Sequence, residues 1–228
     1  MDRPFKILAV IPARGGSKRI PGKNKRLLGD KPLIAWSIEF AKGLHDICDI
    51  LVTTDDSDIA KISQNYGVLV PWMRPKELSG DFASSVDVAI HALDWYEKKF
   101  GPVDGLLLLQ PTSPFRSKEI IINGINDFKN NNLLPVISVN EIKVGSKWVV
   151  MPKDNGIVEN TYEINNPDLD NPIYAVNGSF YLISPNKLRK EKCFSGTGKF
   201  KTLIMNSQKD SIDIDTEYDW KCAIAALL

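Results

Sequence analysis

Cysteine is scarce in this chain. Its three residues, at positions 48, 193 and 222, are odd in number and far apart, and no CxxC pair occurs. That excludes a disulfide framework and the usual zinc spacings, and reduced thiols in a cytoplasmic protein are the simpler expectation. Long apolar runs are also missing. Nothing approaches the ~20 residues of a membrane-spanning helix. The opening stretch MDRPFKILAVIPA has too short an apolar part for a secretion signal and reads better as a strand. Neither sign of charge dominates: 29 Lys and Arg against 28 Asp and Glu leave a formal net charge of +1. The bulk field therefore points to neither nucleic acid nor a membrane surface. There is no internal repeat and no low-complexity segment.

What is there is an alternation of short apolar runs with longer amphipathic ones. KILAVI reads as a buried parallel strand, KPLIAWSIEFAKGL as a helix between Pro32 and Gly43, and DILVTT as a second strand. DSDIAKISQNYG reads as a helix closed by Gly67, VLVPW as a third strand, and SSVDVAIHALDWYEKKF as a strong helix. DGLLLLQ, KEIIINGINDFKNN and LPVISVN continue the series. This order predicts an α/β fold with a mostly parallel sheet and helices on both faces. The chain reads as a single domain, 1–228, with an excursion at about 141–175 where alternating residues and the turn DNG suggest a hairpin. Beyond it, YAVNGSFYLIS and FKTLIMN read as strands, PNKLRKE as a short helix, and DSIDIDTEYDWKCAIAALL as a short strand running into a helix.

The strongest local signal is IPARGGSKRIPGKNKR, residues 11–26, directly after the first strand. It holds six cations (Arg14, Lys18, Arg19, Lys23, Lys25, Arg26), three glycines and no acid. A glycine-rich turn between strand and helix offers backbone N–H groups to phosphate, and the cations add charge. It is not a Walker A loop: five residues separate Gly16 from Gly22, and Asn24 stands where a magnesium-binding hydroxyl belongs. The dinucleotide pattern GxGxxG is absent as well. The plain alternative is a solvated basic loop, but so many like charges beside a strand end repel one another unless an anion or distant acids offset them.

IPARGGSKRIPGKN resembles the opening of the CMP-sialic acid synthetases, the acylneuraminate cytidylyltransferases, a family that includes the CMP-legionaminic acid synthetases. RPKELSGDFASSVDVAIHAL, LLLLQPTSPFRS, NGSFYLIS and IDIDT follow in that family's order, so the likeness spans Ile11 to Thr216. It implies a Rossmann-like nucleotidyltransferase fold and an enzyme that joins CTP to a nine-carbon 2-keto sugar acid with release of pyrophosphate, N-acylneuraminate first and legionaminic or pseudaminic acid as alternatives. It implies that Arg14 and Lys23 contact the triphosphate, with Asp215 as their catalytic partner. Ala13, Gly15, Gly16, Ser17 and Asn24 would complete the phosphate and ribose contacts. Arg74 and Ser85 would face the cytosine. Gln110, Lys147 and Asn177 would take the sugar. Asp213 and Asp215 would bind Mg²⁺. Alternation in IDIDT puts those two carboxylates on one face, about 7 Å apart; the competing use of Asp215, Thr216 and Asp219 is to cap the helix that follows. Ser84 or Ser85 and Ser117 are likewise expected to cap helices.

Two departures from the family fall on the sugar side. No arginine precedes NG in NNPDLDNPIYAVNG, and EIKVGSKW keeps Lys147 without a His-Pro pair. The excursion resembles the family's dimerisation arm, with Trp148 and Val149 as its apolar edge, so a homodimer is expected.

Overall fold

The computed structural model describes residues 3–142 and 173–228. The chain begins its core with β1 (Ile7–Pro12), whose residues are almost all buried. After the basic loop come the two-residue pair β2 (Leu27–Leu28) and β3 (Lys31–Pro32), then helix α1 (Leu33–Lys42) and β4 (Ile47–Thr53). Helices α2 (Ser57–Asn65) and α3 (Ser85–Phe100) lead to β5 (Gly105–Leu108). Helix α4 (Lys118–Asn130), β6 (Val136–Ile142), β7 (Ile173–Ile183), α5 (Pro185–Glu191), β8 (Lys201–Ile204) and α6 (Glu217–Ala225) complete the order. Among the described residues no helix is long and apolar enough to cross a membrane.

The main sheet has six strands in the order β4-β1-β5-β7-β6-β8. Pairings β4–β1, β1–β5 and β6–β8 are parallel, while β7 runs antiparallel to both β5 and β6. Five strands therefore point one way and β7 alone is reversed, so the expected mostly parallel sheet is present. Alternate β1 residues feed two cores. Ile7, Ala9 and Ile11 pack with Ile34, Ile38 and Ile121 on one face. Leu8 and Val10 pack with Ala89, Leu93 and Leu188 on the other. A strand buried on both faces has no room for polar alternation, which is why KILAVI is continuous.

The chain leaves β1 toward β4 on one side and later returns to β5 on the other. That reversal of strand order opens a crevice beyond the carboxyl ends of β1 and β5, where ligands gather in such sheets. Because β7 is reversed, its first half lies at this same end, beside the residues that follow Leu108.

Caps follow the sequence. Asp56 accepts from the Asp58 and Ile59 N–H groups, Ser84 from Val86, and Ser117 from Ile120. Thr216 and Asp219 form a complete capping box on α6. Two expected strands are not ladders. VLVPW contributes one isolated bridge, Leu69 with Leu51, and the residue after it, Met73, bridges Thr54. Leu69 exchanges backbone hydrogen bonds with the middle of β4, donating to the Ile50 carbonyl and accepting from the Val52 N–H, but the pairing does not extend into a ladder. IDIDT pairs with no strand among the described residues; its Ile214 N–H donates to the Thr112 carbonyl at 2.8 Å. The expected hairpin, with Lys147, Trp148 and Val149, lies outside the described residues.

Candidate active site

The basic loop is anchored by one apolar residue. Ile20, among six cations, is fully buried and shares a small cluster with Ile214 and Trp220. Each such burial contributes about 1.5–3 kcal/mol, enough to decide where a polar loop rests. Ile214 sits between Asp213 and Asp215, so burying it turns both carboxylates toward the loop. The Lys23 ammonium then donates to the Ile214 carbonyl at 2.7 Å and to Asp215 Oδ1 at 3.2 Å. Arg19 reaches the other Asp215 oxygen at 3.0 Å. Arg26 lies 4.4 Å over the Trp220 ring and pairs with Glu217. The cationic bend near the N-terminus and the acids near the C-terminus thus converge, as the charge argument required.

The acids that offset the loop's charge come from several parts of the chain. Of the acids between Asp210 and Asp219, only Asp215 and Glu217 pair with it. Asp81 takes Arg14 and Lys18, and Asp56 and Asp58 take Lys25. These three acids sit on elements packed against the loop, which sequence distance hid.

Between the loop, α3 and the segment after β5 lies a cleft of about 510 Å³. Arg14, Ser17, Lys23 and Asn24 line it from the loop, Arg74 and Ser85 from the α3 side, and Gln110, Asp213 and Asp215 from the opposite wall. Thr112 also lines this wall, and its side chain hydrogen-bonds Asp213. The cleft's walls push the Asp213 carboxyl up, Thr112 opposes that, and the Asp215 charge adds to it. The two carboxylates are therefore close enough to feel one another.

A second hollow of about 370 Å³ adjoins the first. Gln110 and Asp213 line both, and Asn140, Asn177, Gly178 and Tyr181 belong to the second alone. Gly178 has φ +75°, and a Cβ there would lie 2.5 Å from Gln110 Oε1. Only glycine lets β7 pass this close to the Gln110 side chain.

Several of the expected contact residues have partners within the protein. Ala13 is fully buried with its N–H on the Thr53 carbonyl, and it does not line the cleft. Gly15 donates its N–H to Asp55 and a Cβ there would meet the Asp56 Cβ at 2.7 Å, so this glycine serves packing against the start of α2. Gly16 also stays out of the wall, with nothing within 4 Å of a Cβ. Arg74 is buried, donating to the Thr53 and Leu78 carbonyls. Its Nε is buried without a partner, and burial pushes its pKa down. Asn177 lines the second hollow, but its amide is committed to Ser138, Asn140 and the Ser179 N–H. These bonds fix its orientation in the wall. Asn24 likewise turns its amide to the Arg14 carbonyl at 2.9 Å, pinning the loop, while its Oδ1 is buried without a partner.

The composition of the cleft is that of a polyphosphate site: a cationic wall facing paired carboxylates at the switch point of an α/β sheet. The model of the cytidylyltransferase family matches residues 8–169. The chain belongs to that family. The CMP-N,N'-diacetyllegionaminic acid synthase of Legionella pneumophila is 39% identical over 221 residues, covering 95% of this chain and 94% of that protein. The N-acylneuraminate cytidylyltransferase of Escherichia coli O18:K1:H7 is 32% identical over 96% of this chain, which spans 51% of that longer protein. A CTP-complexed CMP:2-keto-3-deoxy-manno-octonic acid synthetase shares the fold, with TM-score 0.75 at 18% identity over 97% of this chain and 98% of its own. The expected family is thus borne out. The cytidylyltransferase match also covers the basic loop, Arg74, Ser85 and Gln110, whereas Asp213 and Asp215 fall beyond it.

Arg116 was not foreseen. It is buried, and its guanidinium donates to the Ser179 carbonyl, the Ser37 hydroxyl and the Gln110 carbonyl. It ties α1, β7 and the Gln110 turn together. The sequence signal was there: an arginine closing a proline-rich turn directly after a fully apolar strand.

Proposed function

We propose that the chain joins CTP to a nine-carbon 2-keto sugar acid, yielding the CMP-sugar and pyrophosphate. The observation that carries this is Lys23 held between the Ile214 carbonyl and Asp215 at the floor of the cleft. The sugar's anomeric hydroxyl attacks the α-phosphorus and pyrophosphate leaves. Lys23 and Arg14 meet the triphosphate, and Lys23, a compact point charge, follows the charge that grows on the leaving group. Asp215 holds Lys23 on that line. Ser17 and Asn24 complete the phosphate end. Arg74, with its spare Nε, and Ser85 at the start of α3 suit the base.

Among the described residues no group of three or more His, Cys, Asp or Glu side chains gathers as a metal site. The pair Asp213 and Asp215 still fits Mg²⁺, which is held by one or two carboxylates with substrate phosphates and water. When bound there, the ion would neutralise phosphate charge. Burial raises the Asp213 carboxyl and the Asp215 charge adds to it, which supports the same reading, since a bound cation would offset both.

The second hollow takes the sugar, with Gln110 at its border and Lys147 as a further contact. Beyond Asp213 at the border with the first cleft, its described walls carry amides, Ser211, Tyr181 and Val176 but no cation. Amide-bearing, weakly polar sugar substituents suit such walls. That and the 39% against 32% identities favour a diacetyllegionaminate-type acid ahead of N-acylneuraminate. Pyrophosphate release with CTP should appear with one or more nonulosonic acids and vanish on chelation of Mg²⁺. The legionaminate-type acid should give the highest kcat/KM in a panel with neuraminate and pseudaminate types. CTP binding without pyrophosphate release from any sugar in the panel would leave a binding module instead.

A homodimer belongs to the same reading. Tyr174 and Val176 are exposed apolar residues at the start of β7, next to segment 143–172. Sedimentation should give a dimer at micromolar concentration; a monomer mass at every concentration tested rejects it.

A further inference from the structure

Asp81 has no part in the function proposed above, yet it faces two of the cleft's cations. Arg14 Nη1 lies 3.0 Å from one of its oxygens and Lys18 Nζ 2.6 Å from the other. Those contacts hold its carboxyl below the ordinary range, Lys18 first and Arg14 second. A carboxylate bridging the two cations takes up the same donors that a phosphate would.

The segment that carries Asp81 is held by little else. Residues 80–83 form a turn closed by the Ala83 N–H on the Gly80 carbonyl. Phe82, at its tip, is fully exposed, with no apolar packing to fix the turn. A Cβ on Gly80 would meet nothing within 4 Å. Across the cleft the turn's ties are the Asp81 ion pairs and one long bond, 3.4 Å, from Arg14 to the Gly80 carbonyl. The turn's ends are anchored: Ser79 bonds the Pro75 carbonyl and Ser84 caps α3. A short, unpacked span between two fixed points, latched by charge alone, can be exchanged for another anion at small cost.

We propose that Asp81 is the resident counter-ion of the nucleotide site, holding Arg14 and Lys18 in place until the triphosphate displaces it and returning as pyrophosphate leaves. This rests on the reading that the cleft takes CTP. The carboxylate competes with the substrate's phosphates, so nucleotide affinity is set below what the cations alone would give. It also offsets the repulsion between the two cations when no phosphate is bound. Re-pairing favours departure of the charged product.

The test is calorimetric titration of the full chain with CTP and, separately, with inorganic triphosphate. Asp81→Asn keeps the shape and removes the charge. It should tighten binding of both ligands about three- to tenfold, the scale of two partly exposed ion pairs. In steady state the CTP KM should fall, and the inhibition constant of pyrophosphate should fall with it. Glu77→Gln removes a charge from the same stretch at a residue with no cation contact described, and should change neither affinity. Unchanged or weaker binding by Asp81→Asn overturns the proposal, as does equal tightening by Glu77→Gln, which would mean a bulk charge effect. Failure of the wild-type chain to bind CTP while inorganic triphosphate still responds to Asp81→Asn overturns the nucleotide reading and leaves the counter-ion exchange standing.

Discussion

Replacing Lys23 with alanine is expected to lower kcat/KM by about 10²–10³, the usual cost of losing one well-placed group that stabilises developing charge. Its side chain is 11% exposed, against 38% for Arg14 and 79% for Lys18, so its charge is the least screened of the three. Loss of Lys23 should therefore appear mainly in kcat, with CTP affinity changing less. The arrangement explains why no neighbour can substitute. Arg19 already holds the other Asp215 oxygen, and its own side chain is 65% exposed. Steady-state pyrophosphate release checks this, and a kcat/KM within threefold of wild type would remove Lys23 from the mechanism. The fold should survive, because the loop's anchor is Ile20 rather than the ion pair.

The largest effect on stability is expected at Arg116. Arg116→Ala removes donors from three acceptors at once, the Ser179 and Gln110 carbonyls and the Ser37 hydroxyl. It also leaves a void beside Phe40, whose ring lies 5.7 Å from the guanidinium. Unsatisfied buried acceptors cost about 1–3 kcal/mol each, partly relieved by water, so a loss of about 3–5 kcal/mol is expected. For a chain of 228 residues that corresponds to a melting temperature lower by roughly 10 °C. Burial pushes the Arg116 pKa down to about 9, still above neutral, so the group is charged at work and its hydrogen bonds offset that burial. Arg116→Lys should rescue little, since a single ammonium cannot reach three acceptors spread over a planar fork. Activity should fall with stability, because Arg116 holds the turn that presents Gln110. Thermal unfolding measures the first effect, and an unchanged melting temperature for Arg116→Ala would show that the three bonds carry no net stabilisation.

Much of this fold was legible because its signals are local. KILAVI and DGLLLLQ are continuous apolar runs, and a strand covered on both faces cannot be otherwise. Asp56, Ser84 and Ser117 announced helix starts because a cap needs only residues two or three along. The reversal of β7 was not legible. Strand character is written along YAVNGSFYLIS, but direction depends on the route of the chain between Ile142 and Ile173 and on the partners it meets.

The site divides in the same way. Residues whose side chains supply charge or hydroxyl groups to the cleft, such as Lys23, Arg14 and Asp215, stood out by type and clustering. Contacts assigned to backbone did not transfer so well. The Gly15 N–H turns inward to Asp55, since a peptide group's direction is set by neighbours distant in sequence. Asp81 and Arg116 were overlooked for a related reason. Each has partners more than 60 residues away, Arg14 for Asp81 and both Ser37 and Ser179 for Arg116.

By itself, then, the amino-acid order determined the alternation of strands and helices, the cationic bend after β1 and the paired aspartates before α6, because each depends on neighbours within a few residues. Only the tertiary structure decided that Ile20 and Ile214 share one apolar cluster. That contact brings Lys23 onto Asp215 and joins charges 192 residues apart into one cleft. The physical reason is that apolar burial is non-directional: it selects which segments meet, and the charges they carry meet as a consequence.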